Sequence, residues 1–396
     1  MPLKSVRRAV AALSLALASA VILFSTWGTP SPIAELRKDA LPALRAVPLA
    51  LTPNRRAFSR TDDDALVSAI RRLQLPPSPQ WPELIHGLRL WGNAGFGESA
   101  TWSGRRVLRM VFDSDSMQQH FPAGTFHQLT DQGLKLAVVP RALYNTDLRP
   151  ADPHPHKTLS VLAMLGTPSA SAFKVHGRDV ALSEALRYCL WSFTLDDEVV
   201  WAVIAVALYA PNVGGWENKF GERFAFDDVC DFLMTSDTRG ASCYGTHINF
   251  GVAALLNADS QTALLSPAVR RRAIARLNEV SGVLRRTQSS AGAWSAGWSD
   301  DVARCIAEPS RIEGMTVTAH TLEWLAAVPP EVKVDADMVL RGCDYLRDIL
   351  LQESPAGFEG HFSAYTHALN ALRMWFPNLW AKHIRPSTAA TATSQT

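Results

Sequence analysis

From residue 158 onward, two kinds of segment alternate along the chain. Residues 158–165, 199–209, 248–256, 315–328 and 362–375 are apolar on nearly every side and poor in charge. Between them, 183–191, 227–234, 267–286 and 335–351 carry apolar residues on one helical face and charges on the other. A helix that is apolar all round must be covered on both sides, whereas a one-sided helix faces water. The alternation therefore predicts inner and outer helices. Stretches with period-two alternation are few, so the strand signal is weak and the expected fold class is all-α. Consecutive helices joined by short loops pack antiparallel, which sends every inner helix one way and every outer helix the other.

The inner segments begin alike. His156, His247, His320 and His367 each stand near the start of one. His320 and His367 lie about 47 residues apart, and His156 and His247 about twice 45, with Glu198 near their midpoint; a period in the forties suits a stacked or closed array of helical hairpins. The longer step from His247 to His320 holds an insertion between Trp294 and Glu313.

The ends of the chain read differently. Lys4, Arg7 and Arg8, within a basic region 1–8, precede an uncharged run from Ala9 to Trp27, about 19 residues and long enough to cross a bilayer as a helix. Ala-Ser-Ala at 18–20 falls inside the apolar run rather than after it. That favours an uncleaved signal-anchor at 9–27 over a cleaved signal peptide. The basic flank stays cytoplasmic under the positive-inside rule, so the expected location is the cell membrane, single-pass, with the bulk of the chain extracytoplasmic. Cleavage would make it secreted or periplasmic. Five prolines mark 28–60 as a linker, 61–382 is the helical domain, and 383–396 lacks apolar anchors and is expected to be disordered.

Composition excludes little. Hydrophobic content of 47% against 19% charged residues suits a folded chain, and a net charge of +2 lacks the basic stripe of a nucleic-acid binder. The clusters Arg270-Arg271-Arg272 and Arg285-Arg286 read as a solvated helix face. Five cysteines at irregular spacing do not form a disulfide framework; Cys189, Cys230 and Cys343 read as buried thiols, with one or two disulfides left open by export.

Leu284, Gln288, Gly292 and Trp294 together resemble the QW repeat of squalene and oxidosqualene cyclases, in which Gln and Trp lock the end of an outer helix onto the loop entering the next inner helix. A degenerate copy follows at Arg341–Leu346, Gln352 and Gly357-Phe358. The resemblance is good over 267–376 and tolerable back to about 155. It implies an α/α-toroid, the barrel of helical hairpins shared by terpenoid cyclases, protein prenyltransferase β-subunits and lanthionine-forming cyclases. Adding 64–73 with 84–91, and an irregular pair in 103–140, gives about six inner/outer hairpins.

Candidate chemistry is sparser. Leu195-Asp196-Asp197-Glu198, Asp113-Ser114-Asp115 and Asp335-Ala336-Asp337 all fall short of the Asp-x-Asp-Asp acid of the cyclases. Asp227-Asp228-Val229-Cys230-Asp231 spells a diphosphate-magnesium motif, but at the start of an outer helix, where acidic residues favour the helix dipole. Cys243 and His247 are four residues apart and can share a helical face, a start for a soft metal site. If the inner helices are parallel, Cys243, His247, His320 and His367 gather at one mouth. The related enzymes place a catalytic zinc near there, although this chain lacks their Asp-x-Cys pair and Cys-His-Gly. Cys243, His247 and His320 are thus candidate zinc ligands, while the plainer alternative is that each histidine caps its own helix start. Trp201 and Tyr365, with Cys243 and the three histidines, are candidate ligand-binding residues; Glu198, Asp197 and His247 are candidate catalytic groups, since a carboxylate among apolar neighbours can have its pKa raised. Three functions stay open: a funnel binding a small lipid-like or peptide ligand, a terpenoid cyclase- or prenyltransferase-like enzyme, or a non-catalytic interaction module. The expected partners are the lipid bilayer and such a ligand, with no nucleic acid.

Overall fold

The computed structural model describes residues 44–53, 58, 63–92 (save 74 and 77), 102–121, 127–136, 154–354 (save 197, 240 and 300–308) and 361–379. The apolar segment 9–27, the tail 383–396, Asp197, Cys305 and Gly357-Phe358 lie outside the described residues. Among the described residues no helix is long and apolar enough to cross a membrane.

The chain is mostly helical. Its order is α1 (Asp64–Arg72), α2 (Trp81–Trp91), α3 (Gly104–Val111), α4 (Ser114–His120), β1 (Gln128–Thr130), β2 (Gly133–Lys135), α5 (Lys157–Met164), β3 (Ala172–Val175), β4 (Arg178–Ala181), α6 (Leu182–Ser192), α7 (Val200–Tyr209), β5 (Trp216–Glu217), β6 (Arg223–Phe224), α8 (Phe226–Thr235), α9 (Thr246–Thr262), α10 (Pro267–Thr287), α11 (Arg311–Ala327), α12 (Ala336–Gln352) and α13 (Phe362–Trp375). The strands form three separate antiparallel hairpins. Two of them, β3–β4 and β5–β6, fill the connections from an apolar helix to the next amphipathic one. At two to four residues per strand they are too short for a period-two pattern to register in the sequence.

Burial follows the predicted alternation. Every residue of α7 is buried, whereas α10 buries only one face, Val269, Ala273, Leu277, Val280, Ser281, Leu284 and Thr287. The apolar helices touch one another in chain order, α2 to α5, α7, α9, α11 and α13, and α13 returns to α2. Amphipathic helices pack outside them, α6 on α7, α8 and α10 on α9, and α12 on α11 and α13.

The QW-like segment ties these layers together. Trp294 Nε1 donates to Leu284 O at the end of α10, and Gln288 Nε2 donates to Gly292 O and Met338 O, the latter in the first turn of α12. The Trp294 backbone N–H donates to Thr318 Oγ1 on α11. Gly292 adopts φ +92, and a Cβ there would stand 2.3 Å from Arg341 O. The acidic Asp227-Asp228 cluster is spent locally: Asp228 accepts from the Ala225 N–H, Asp227 from the Ser266 N–H, and Asp231 pairs with Arg272.

Residues 44–53 cross the C-terminal ends of the inner helices. Arg45 and Leu49 donate backbone N–H bonds to Tyr209 O and Leu208 O, the last carbonyls of α7. Asn257 of α9 clamps this strap by accepting from Thr52 N and donating to both Thr52 O and Ala327 O. Further round, Phe58 stacks on Trp375. One end of the helix assembly is thus spanned by backbone, and the ionisable side chains gather toward the other.

Candidate metal centre

Cys243 is delivered by an unusual turn. Ser242–Gly245 precedes α9 as a short 3-10 segment in which Cys243, Tyr244 and Gly245 all hold positive φ, +48, +58 and +76. Left-handed backbone is costly for residues with a Cβ, and Gly245 is obligatory because a Cβ there would lie 2.4 Å from Thr238 O. His247 follows in the first turn of α9, so the turn sets sulfur and ring against each other.

The third member is His154, two residues before the His156 of the sequence repeat. His156 itself takes φ +63, and its Nε2 lies 3.3 Å from Ser192 Oγ on α6, away from the cluster. The left-handed residue reverses the chain and presents His154 inward instead. Among the described residues, His154, Cys243 and His247 each offer one ligand atom, and these atoms lie within 4.8 Å of one another.

Glu198 decides which ring atoms those are. Its Oε1 sits 2.5 Å from His247 Nδ1 and its Oε2 bonds His154 Nδ1. With both Nδ1 atoms engaged by one carboxylate, each ring is left its Nε2 as the ligating atom. His247 Nε2 is buried with no hydrogen-bond partner. A ligating histidine usually donates its other N–H to a carboxylate, which fixes its tautomer and raises its basicity; here a single carboxylate serves two rings.

The electrostatics agree with that geometry. Burial on its own would hold Cys243 protonated, but the positive charge that the neighbouring His247 and His320 can carry takes the thiol well below its ordinary value. Burial opposes charge on His247 too, yet Cys243 and Glu198 raise it to about 9. Glu198, despite desolvation, is held below the usual carboxylate range by hydrogen bonds from both histidines. The cluster thus favours the thiolate of Cys243 beside a protonated His247, and thiolate is the form that binds metal.

An arc of rings extends from this centre. The centroid of His154 is 4.9 Å from His247, His247 is 5.1 Å from His320, His320 stacks at 3.8 Å on His367, and His367 is 4.9 Å from His86. His320 donates through Nδ1 to Thr316 O at 2.8 Å, which leaves its Nε2 buried without a partner. His86 donates through Nδ1 to Pro82 O and accepts from Lys157 Nζ at Nε2. At the far end Glu323 pairs with Arg89 at 3.1 Å, accepts from Asn370 at 2.7 Å and lies 3.0 Å from His367 Nδ1. Burial, reinforced by Lys157 for His86 and by His320 and Arg89 for His367, drives both rings well below the usual histidine value, so they are neutral at pH 7. Trp201 forms a wall, 5.0 Å from His247, with Lys157 Nζ 5.2 Å and Arg89 6.0 Å from its ring.

Of the residues singled out from sequence, Cys243, His247, His320, His367, Glu198 and Trp201 come together here. His320 lies beyond the three-atom metal group and in the third turn of α11, because that helix starts at Arg311, a turn earlier than the apolar pattern. The hydroxyl of Tyr365 goes elsewhere, to Glu353 beside Arg311. Sequence reasoning missed His154, His86, Arg89 and Lys157. No protein-family model, curated protein or solved structure matches the chain.

Proposed function

We propose that the chain is a zinc-dependent enzyme on an α/α-toroid, with the circuit of α2, α5, α7, α9, α11 and α13 as the inner barrel and the metal at its open mouth. His154 Nε2, Cys243 Sγ and His247 Nε2 are the ligands. The observation that carries this is the shared carboxylate: Glu198 engages Nδ1 of both histidines, which turns two nitrogens and one sulfur toward a single point. Three protein ligands with a fourth position open is the arrangement of catalytic rather than structural zinc. A zinc so held polarises a carbonyl or activates a bound water or thiol. The buried, partnerless Nε2 of His320 beside the centre supports a polar substrate group in that space. A small lipid-like or peptide substrate entering at the mouth fits the mixture of Trp201 and Phe250 with ionisable groups. The strap at 44–53 supports entry from the mouth rather than the base. Tethering through 9–27, with the domain outside the cytoplasm, completes the proposal.

A second reading has one observation in its favour. The depressed Cys243 thiol with His247 and Glu198 behind it also forms a nucleophile–base–carboxylate series. Elemental analysis of the purified full chain separates the two. About one zinc per chain, lost in Cys243→Ser and His247→Ala, supports the metal enzyme. No stoichiometric metal together with rapid alkylation of Cys243 supports the nucleophile. Neither metal nor a reactive thiol overturns both. Copper in place of zinc would keep the ligands and change the chemistry, since a two-histidine, one-cysteine set also suits copper.

A further inference from the structure

Beneath the candidate metal centre the apolar helices enclose a filled layer. Three residues on from His247 along α9 stands Phe250, and three on from His320 along α11 stands Glu323. Each shares a helical face with its histidine and lies about 5 Å further along the helix. Arg89 of α2 joins them. Its guanidinium pairs with Glu323 at 3.1 Å and sets Nη1 3.1 Å from His367 Nδ1 on α13. It also lies 5.4 Å from the Phe250 ring and 6.0 Å from the ring of Trp201 on α7. Helix α5 contributes Lys157, whose Nζ is 3.0 Å from His86 Nε2.

All six apolar helices thus send a side chain into one layer, and none of these side chains is more than 8% exposed. At its centre is a buried ion pair, Arg89 with Glu323. Separating such a pair is costly, because each partner is left as an uncompensated charge. An alkyl chain pushed down the helix assembly would have to displace it.

The level above offers polar contacts. Trp201 Nε1 and His320 Nε2 are both buried without hydrogen-bond partners, and their rings lie 5.0 and 5.1 Å from that of His247. An apolar group against them leaves both unpaired, which carries a standing cost. An amide has a donor and an acceptor side by side and can serve an indole N–H and an imidazole nitrogen together.

We propose that the substrate is a peptide laid across the mouth, its backbone amides meeting Trp201 and His320, and that the Arg89 layer bars a lipid chain from the barrel. This rests on the mouth being the site proposed above, and not on the metal in it.

Alkylation of Cys243 in the full chain, stripped of metal with EDTA and followed by mass spectrometry, tests the proposal. Three reagents are compared: iodoacetamide, N-hexyliodoacetamide and iodoacetyl-diglycine amide, the last two alike in length. Each forms a carbon–sulfur bond with the thiolate and releases iodide. The peptide reagent should label Cys243 about tenfold faster than iodoacetamide, the gain from hydrogen bonds to unpaired buried groups. The hexyl reagent should stay within about threefold of iodoacetamide, whereas a chain entering the barrel would gain about fourfold per buried methylene. In His320→Leu the ratio of peptide to iodoacetamide rates, which cancels any change in the thiol itself, should fall by about threefold or more. A hexyl reagent as fast as the peptide reagent overturns the proposal. So does a peptide advantage that is absent from the native chain or unchanged in His320→Leu. Failure of all three reagents also overturns it, since a mouth that takes a peptide admits iodoacetamide. Elemental analysis decides the metal separately: a zinc-free chain that keeps the peptide preference loses the zinc reading and retains this one.

Discussion

Glu198 hydrogen bonds two histidines at once, with Oε1 2.5 Å from His247 Nδ1 and Oε2 on His154 Nδ1. Residue 198 stands just before α7, whereas the two rings come from the loop ahead of α5 and from the start of α9. One carboxylate thereby sets the orientation of two ring systems more than forty residues away on either side. Glu198→Gln keeps the shape but offers one acceptor oxygen and one amide donor, so only one ring can retain its N–H bond. Zinc affinity, measured by competition with a chromophoric chelator, should fall by roughly 10- to 100-fold, the usual effect of removing such a partner. An unchanged affinity would remove Glu198 from any role at a metal.

Proton release gives an independent check on the ligand set. In the metal-free protein His247, raised to about 9, carries a proton at neutral pH beside a Cys243 thiol whose pKa is lowered. A metal can bind only the neutral ring, so that proton has to leave. Zinc titrations near pH 7.5 in buffers of different ionisation enthalpy should show His247 contributing about one released proton. Apparent affinity should rise with pH up to about 9 and then level off as far as His247 is concerned. His247→Ala should abolish both the release and the slope.

Much of the helical plan was legible in the sequence, because an all-round apolar helix such as α7 has one interpretation in water while a one-faced helix such as α10 has another. Cys243 and His247 were legible through their spacing. His154 was not: it sits in a loop, and the left-handed His156 breaks the helical spacing that would have linked it to α5. Arg89 and Lys157 hid behind their residue type, since a charged side chain on an amphipathic pattern reads as solvated, yet they are 6% and 2% exposed. Glu323 and His86, their partners, lie 234 and 71 residues away in sequence. Pairings at that separation leave no local trace. The short β-hairpins escaped for the opposite reason, being too local for any period to build up.

Gly292 tests the tie between layers. Its φ of +92 is strained for any residue with a Cβ, and the added carbon would meet Arg341 O at 2.3 Å. Backbone on both sides leaves little room to relax, because Gln288 bonds Gly292 O and Met338 O together. Gly292→Ala should cost about 2–4 kcal/mol, combining left-handed strain with overpacking. Thermal unfolding followed by circular dichroism should show a fall of several degrees in Tm. Trp294→Phe, which deletes the Nε1 bond to Leu284 O and leaves a void where the fully buried indole's second ring stood, should also destabilise, by about 2–4 kcal/mol. Equal stability of the native chain and Gly292→Ala would mean that the 288–294 segment does not bear on the packing of α10 against α12.

His127 supplies a pH signature remote from the metal. It is buried beside Phe173, donates through Nε2 to Val111 O at 2.6 Å, and keeps a partnerless Nδ1. Burial, only partly offset by the Val111 carbonyl and by Asp113, lowers its pKa to about 4. The unfolded chain takes up a proton on this ring near pH 6.5, so between about 6.5 and 4 the unfolded state binds more protons than the folded one and stability falls as pH is lowered. The contribution is fully present above about pH 6.5 and is lost as pH falls through about 4, for a total of about 3 kcal/mol. His127→Gln keeps an N–H donor for Val111 O and cannot titrate. Denaturant unfolding of both proteins between about pH 7 and pH 4 should therefore give curves that diverge, the native chain losing the extra stability as acid is added. Parallel curves would show that burial does not depress the His127 pKa in the folded protein.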